Sequence, residues 1–165
     1  VYISALMFVM RHFAGPIVER ISSVGLLWLS SIFAVVGLYG LSRANSPASA
    51  FAAATVWGMG VCYMWPTMLG NISERFPRGG ALFLGIIGFC GGMAIKFVLP
   101  QLGAIFDRAK LEAAGSAEKL AAMSGPELDE VLRYAAVESF AVVAMIPLAL
   151  IPIFGFLWWR DRSNG

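Results

Sequence analysis

The sequence predicts an all-α membrane protein, a polytopic bundle of about four and a half transmembrane helices, and three observations carry that expectation. Residues 21–42, 44–73 and 139–159 hold no charged side chain, and residues 79–106 hold only Lys96. A helix rising ~1.5 Å per residue needs roughly 20 apolar residues to cross ~30 Å of hydrocarbon, and lipid obliges the backbone to satisfy its own amides. Hydrophobic residues make up 59% of the chain and charged residues 13%, against roughly 45–50% and about 25% in a soluble domain. A core made by 165 residues could not hide that much apolar surface from water. Finally, charges, prolines and glycines gather in the short turns between the apolar runs.

Taken in order, residues 1–14 form a helix too short to span. The chain opens at Val1 inside an apolar stretch, with no basic region before it and no small-residue cleavage site after it. It therefore reads as a helix entered part-way, not as a signal peptide, and the expectation is a C-terminal fragment of something longer. A second helix over 24–41 stops at the breaker-rich Arg43-Ala44-Asn45-Ser46-Pro47, and a third covers 50–72. After the basic turn Ser73–Gly79 comes a glycine-rich fourth helix over 80–106. Residues 107–133 are polar and alanine-rich with a break at Ser124-Gly125-Pro126, which predicts two short helices outside the membrane. A fifth membrane helix covers 134–159, bent by Pro147 and Pro152.

Orientation follows from basic residues in the short connections. Counting alternate sides groups Arg20, Arg75, Arg78, Arg160 and Arg162 together, while the opposite side has Arg43 and a long segment where acids outnumber bases. The first side is expected to be cytoplasmic, with the C-terminus inside a cell (plasma) membrane and Trp158-Trp159 as an interfacial anchor. A net charge of +2 without a basic stripe gives no reason to expect nucleic acid. Cys62 and Cys90 lack metal-ligand spacing and read as small apolar packing residues. With one histidine, no His-Glu-x-x-His and no Gly-x-Ser-x-Gly, an intramembrane enzyme is not expected, nor is a cofactor.

The segment Arg11-His12-Phe13-Ala14-Gly15-Pro16-Ile17-Val18-Glu19-Arg20 ends one helix in a tight turn and sets an acid–base pair before the next. Gly15-x-x-x-Glu19-Arg20 resembles the Gly-x-x-x-(Asp/Glu)-Arg signature of the major facilitator superfamily of secondary transporters. Phe13-x-Gly15 is similar to the end of the eighth helix in the fucose-permease-like branch, with His12 departing from the arginine usual there. Gly58-x-Gly60, Trp65-Pro66-Thr67, Ser73-Glu74-Arg75-Phe76-Pro77 and Gly79-Gly80-Ala81 look like the tenth helix, its cytoplasmic turn and the start of the eleventh. Pro100, Gly103 and Asp107 fall where the eleventh helix typically closes. The likeness runs over nearly the whole chain, as helices eight to twelve of a twelve-helix fold whose N-terminal bundle would be a partner.

That resemblance implies a gate at Arg11, Gly15, Glu19 and Arg20, where interfacial charges pair with the other half-molecule in one state only. The plainer reading is a basic turn that sets topology, with Arg11, about 6 Å deeper than Gly15, snorkelling to the headgroups. His12 reads as packing or, alternatively, as a proton relay. The third helix is the expected solute site, because the family's tenth helix lines the central cavity. Tyr63, Trp65 and Asn71 offer stacking faces and hydrogen-bonding edges, against the alternative of lipid-facing packing. Pro66 leaves the Cys62 carbonyl without its helical donor.

Lys96, about 16 Å along the helix from Asp107, is the costliest residue in the chain. It is read as a solute or proton-coupling group, as an ion-pair partner of Glu138, or as a snorkelling side chain. Ala81, Gly85, Gly88, Gly91 and Gly92 give the same helix a small-residue packing face. The function expected is secondary active transport of a small polar organic solute, a sugar or nucleoside, by alternating access coupled to a proton or sodium. A small scaffolding or channel protein is the rival reading.

Overall fold

The computed structural model describes residues 2–13 and 20–163. They form helices α1 (Tyr2–Arg11), α2 (Ser23–Ser42), α3 (Pro47–Arg75), α4 (Gly80–Ala114), α5 (Ala117–Ala122), α6 (Pro126–Val143) and α7 (Met145–Ser163), with no strand among the described residues. Three stretches are long and apolar enough to cross a bilayer: α2, α4, and α6 with α7 taken together over Pro126–Ser163. They mark the chain as a helical membrane protein. The 29-residue α3 has the length but a less apolar composition of alanine, glycine and polar aromatics. It packs along α2.

The α2–α3 pair is the centre of the fold, and glycine makes it possible. A Cβ at Gly37 would overlap the Trp57 backbone, and one at Gly60 would come within 2.7 Å of the Ser30 carbonyl oxygen. Such backbone proximity lets dispersion and weak polar contacts replace the hydrophobic force that lipid does not supply. Leu26, Cys62 and Tyr63 form the tightest cluster beside this seam, with Met7 and Met10 of α1 packed on it. Ser31 satisfies its hydroxyl on the Leu27 carbonyl at 2.9 Å, while the buried Ser30 hydroxyl has no partner among the described residues.

The other helices attach to this pair. α1 runs parallel to α3, with the Tyr2 and Thr55 hydroxyls hydrogen-bonded at 2.8 Å near one end and Tyr63 donating to the Met10 carbonyl at 2.7 Å near the other. α7 lies antiparallel to α2, where Trp28 and Trp158 stack with ring centroids 5.3 Å apart and Gly155 makes room for Trp28. α4 packs against α6 through its last turns, where Ala109 and Ala114 are buried, and touches α3 near Gly91. Half of the apolar window of α2 is buried and none of that of α4 is.

Local sequence explains the ends. Ser46 and Ser49 form a reciprocal capping box ahead of Pro47, which sits where its missing amide costs nothing. Ser22 caps α2 by accepting from Gly25 N–H at 3.2 Å, and holds a positive φ of 74° to do so. α4 continues past the polar boundary at residue 107 because Arg108 to Ala114 are good helix formers, and it ends at Gly115 in the left-handed region. The polar segment expected to hold two short helices thus contains one, α5, between the extended ends of α4 and α6. The helix predicted over 134–159 begins instead at Pro126 and is interrupted at Ala144. Pro147 removes the amide that would have bonded the Val143 carbonyl, so the break falls there.

Candidate functional site

One end of the bundle gathers the N-terminus of α2 and the C-termini of α3 and α7 around a cavity of about 710 Å³. Three guanidinium groups border it, Arg20 before α2, Arg75 at the end of α3 and Arg162 in the last turn of α7, with the carboxylates of Glu74 and Asp161 between them. Arg75 is the hub. Its Nη2 pairs with Asp161 of α7, and its Nε donates to Asn71 Oδ1 at 2.9 Å one turn back on its own helix. Ser23 donates to Glu74 at 3.5 Å, linking α2 to α3. The Arg162 guanidinium sits 5.7 Å from the Trp158 ring, itself stacked on Trp28. Arginines at the carboxyl ends of α3 and α7 also complement those helices' dipoles. The arrangement is a charged, hydrogen-bonded tie across three helix ends, partly open to solvent, and suited to holding an anion or to making and breaking pairs.

Of the residues singled out from sequence, Arg20 and Asn71 border this cavity. Gly15 and Glu19 lie outside the described residues. Arg11 is exposed in the last turn of α1, and His12 follows it, with its ring 6.3 Å from that of Phe8. Tyr63 is buried and spends its hydroxyl on α1, whereas Trp65 is half exposed and covers Gly91 of α4. Lys96 is exposed midway along α4. Among the described residues it makes no ion pair, with Glu138 or any other carboxylate. Among the described residues, Asn71 borders the first cavity, and Tyr63, Trp65 and Lys96 do not join it there.

Sequence reasoning missed Asp161 as the partner of Arg75, and Trp28 as the partner of Trp158. The signal was available: counting alternate sides already put Arg75 and the Arg160–Arg162 tail at the same end. Cys62 is buried as a packing residue, while Cys90 is exposed.

The opposite end holds a second cavity of about 520 Å³ where Glu127, Glu130, Arg133 and Tyr134 of α6 face Ser42 at the end of α2 and Asn45 after it. Among the described residues no cluster of histidine, cysteine and carboxylates is arranged to hold a metal ion. The chain matches no family model, and neither a curated protein nor a solved structure matches it.

Proposed function

We propose that the chain works as the C-terminal bundle of a secondary active transporter of the major facilitator type, moving a small polar organic solute by alternating access. The observation that carries this reading is the open face of α4. Gly85, Gly92, Lys96 and Gly103 recur at helical spacing along one side, and a Cβ at each of these glycines would meet nothing within 4 Å among the described residues. A lysine near the centre of a membrane helix costs roughly 2.5–3.5 kcal/mol or more if lipid surrounds it. A water-filled cavity between two helical bundles relieves that cost, and a glycine-lined face allows a second bundle to approach closely and slide.

The charged end supports the same reading. Pairs such as Arg75–Asp161 and the neighbouring Arg20 lie where a second bundle can exchange partners between two states. The resemblance of the Gly15–Arg20 turn to the superfamily signature adds to it. In this proposal Lys96 meets the solute or the coupled proton or sodium, Trp65 and Asn71 line the path, and Arg11, Glu19 and Arg20 belong to the gate. Tyr63 holds the neighbouring helix in position.

The test is uptake of labelled sugars and nucleosides by cells expressing the chain together with the N-terminal bundle, with Lys96→Met and Lys96→Arg beside the wild type. Lys96→Met is expected to abolish uptake of the accepted solute at normal membrane expression, with partial recovery in Lys96→Arg. Unaltered uptake by Lys96→Met would remove Lys96 from the mechanism, and no uptake of any solute by the wild type would remove the transport reading.

A further inference from the structure

We propose that the cavity between the ends of α2, α3 and α7 binds a phosphate group, supplied by the headgroup of an anionic phospholipid. The argument needs only that this end of the bundle lies at headgroup level, and does not depend on transport. Arginine is the side chain best matched to phosphate, because its planar fork donates two parallel hydrogen bonds and it is less strongly hydrated than lysine.

Arg20, Arg75 and Arg162 converge on one cavity from three different helix ends, outnumbering Glu74 and Asp161. Asp161 is already engaged by Arg75, and Glu74 accepts from Ser23. Arg162 makes no ion pair among the described residues and is held over Trp158, which leaves its edge for a ligand. The backbone adds to this, since the first turn of α2 lines the same cavity at Ser22, Ser23 and Val24. Helix N-termini attract anions through unpaired amides and the positive end of the dipole. Ile21, Val24 and Trp158 supply an apolar wall beside the charges, as an amphipathic headgroup requires and a free ion does not. Basic pockets between membrane helices recognise phospholipid headgroups by this chemistry.

The experiment measures tryptophan quenching of the full chain in mixed micelles, where both ends are accessible, by brominated phosphatidylglycerol and by brominated phosphatidylcholine. Inorganic phosphate is added as a competitor in a parallel series. The wild type is expected to prefer the anionic lipid, and Arg20→Gln and Arg162→Gln each to weaken that preference about fivefold, the change one basic residue near an anionic surface makes. Arg43→Gln, at the other end of α2, is the control for bulk charge and should leave the preference intact.

Equal quenching by both lipids that millimolar phosphate reverses would show a site for any phosphodiester and overturn its preference for an anionic headgroup, while binding of phosphate without any lipid quenching would make the free ion its source. Equal loss in Arg43→Gln would show a general surface-charge effect and overturn the site. So would Arg20→Gln and Arg162→Gln behaving as wild type while circular dichroism shows them folded.

Discussion

At the scale of single residues, glycine decides where helices meet. Gly60 lies against the backbone of Ser30 to Ala34, and a methyl group there has no flexible neighbour to displace. Gly60→Ala is expected to destabilise the bundle by about 1–3 kcal/mol through overpacking. Gly88→Ala, in open space on α4, should be neutral or stabilising by up to about 1 kcal/mol, because alanine is the better helix former. Unfolding from mild detergent into dodecyl sulfate, followed by circular dichroism, measures both; similar losses would mean that α4 is covered. From sequence, Gly85, Gly88, Gly91 and Gly92 stood out as the packing face because of their spacing. Among the described residues, only Gly91 of that set has a close neighbour, the Trp65 ring. Spacing identifies which backbone can be approached, but the approaching partner is set by tertiary arrangement. The same limit applies to Tyr63: an aromatic with a hydroxyl suits a solute or a neighbouring carbonyl equally well, and only the fold shows α1 beside it.

Helices and their ends were more legible than the contacts between them. The apolar runs 24–41 and 50–72 lie inside α2 and α3, because lipid demands helix wherever charge is absent. The polar boundaries at residues 107 and 133 were harder to read, since a change from apolar to charged marks the membrane edge and not the helix edge. Asp107 to Ala114 and Pro126 to Arg133 are amphipathic extensions that bury Ala109, Ala114 and Val131. The tie between α3 and α7 also belongs to this scale. Arg75 and Asp161 have side chains 40% and 32% exposed, so solvent screens their attraction and the pair contributes below about 1 kcal/mol. A double-mutant cycle with Arg75→Gln and Asp161→Asn should return a coupling of that size in detergent, falling with added salt. Coupling above about 3 kcal/mol would indicate a buried pair and a different end structure.

For the molecule as a whole, burial is lopsided. α2 and α3 are packed on several sides, while α4 holds its glycine stripe and its lysine away from the rest of the bundle. An apolar face turned outward is no cost in lipid, but Lys96 in the middle of one is. The face must therefore meet lipid with the lysine snorkelling, or meet water or another helix for at least part of the time. These alternatives separate in a labelling experiment on the protein in native membranes, with Cys62 and Cys90 replaced by alanine and a single cysteine placed at Gly85 or Gly92. Charged, membrane-impermeant maleimides react only where water reaches the thiol. If the face lines a cavity between bundles, Gly92→Cys is expected to react from one side of the membrane, and saturating solute should change its rate several-fold by shifting the two-state population. Gly88→Cys, about 40° around the helix from Gly92, should follow more weakly, because it lies nearer the edge of the same stripe. Reaction confined to lipid-soluble reagents, with no effect of solute at either position, would mean that α4 faces the bilayer and that Lys96 reaches the headgroups by itself.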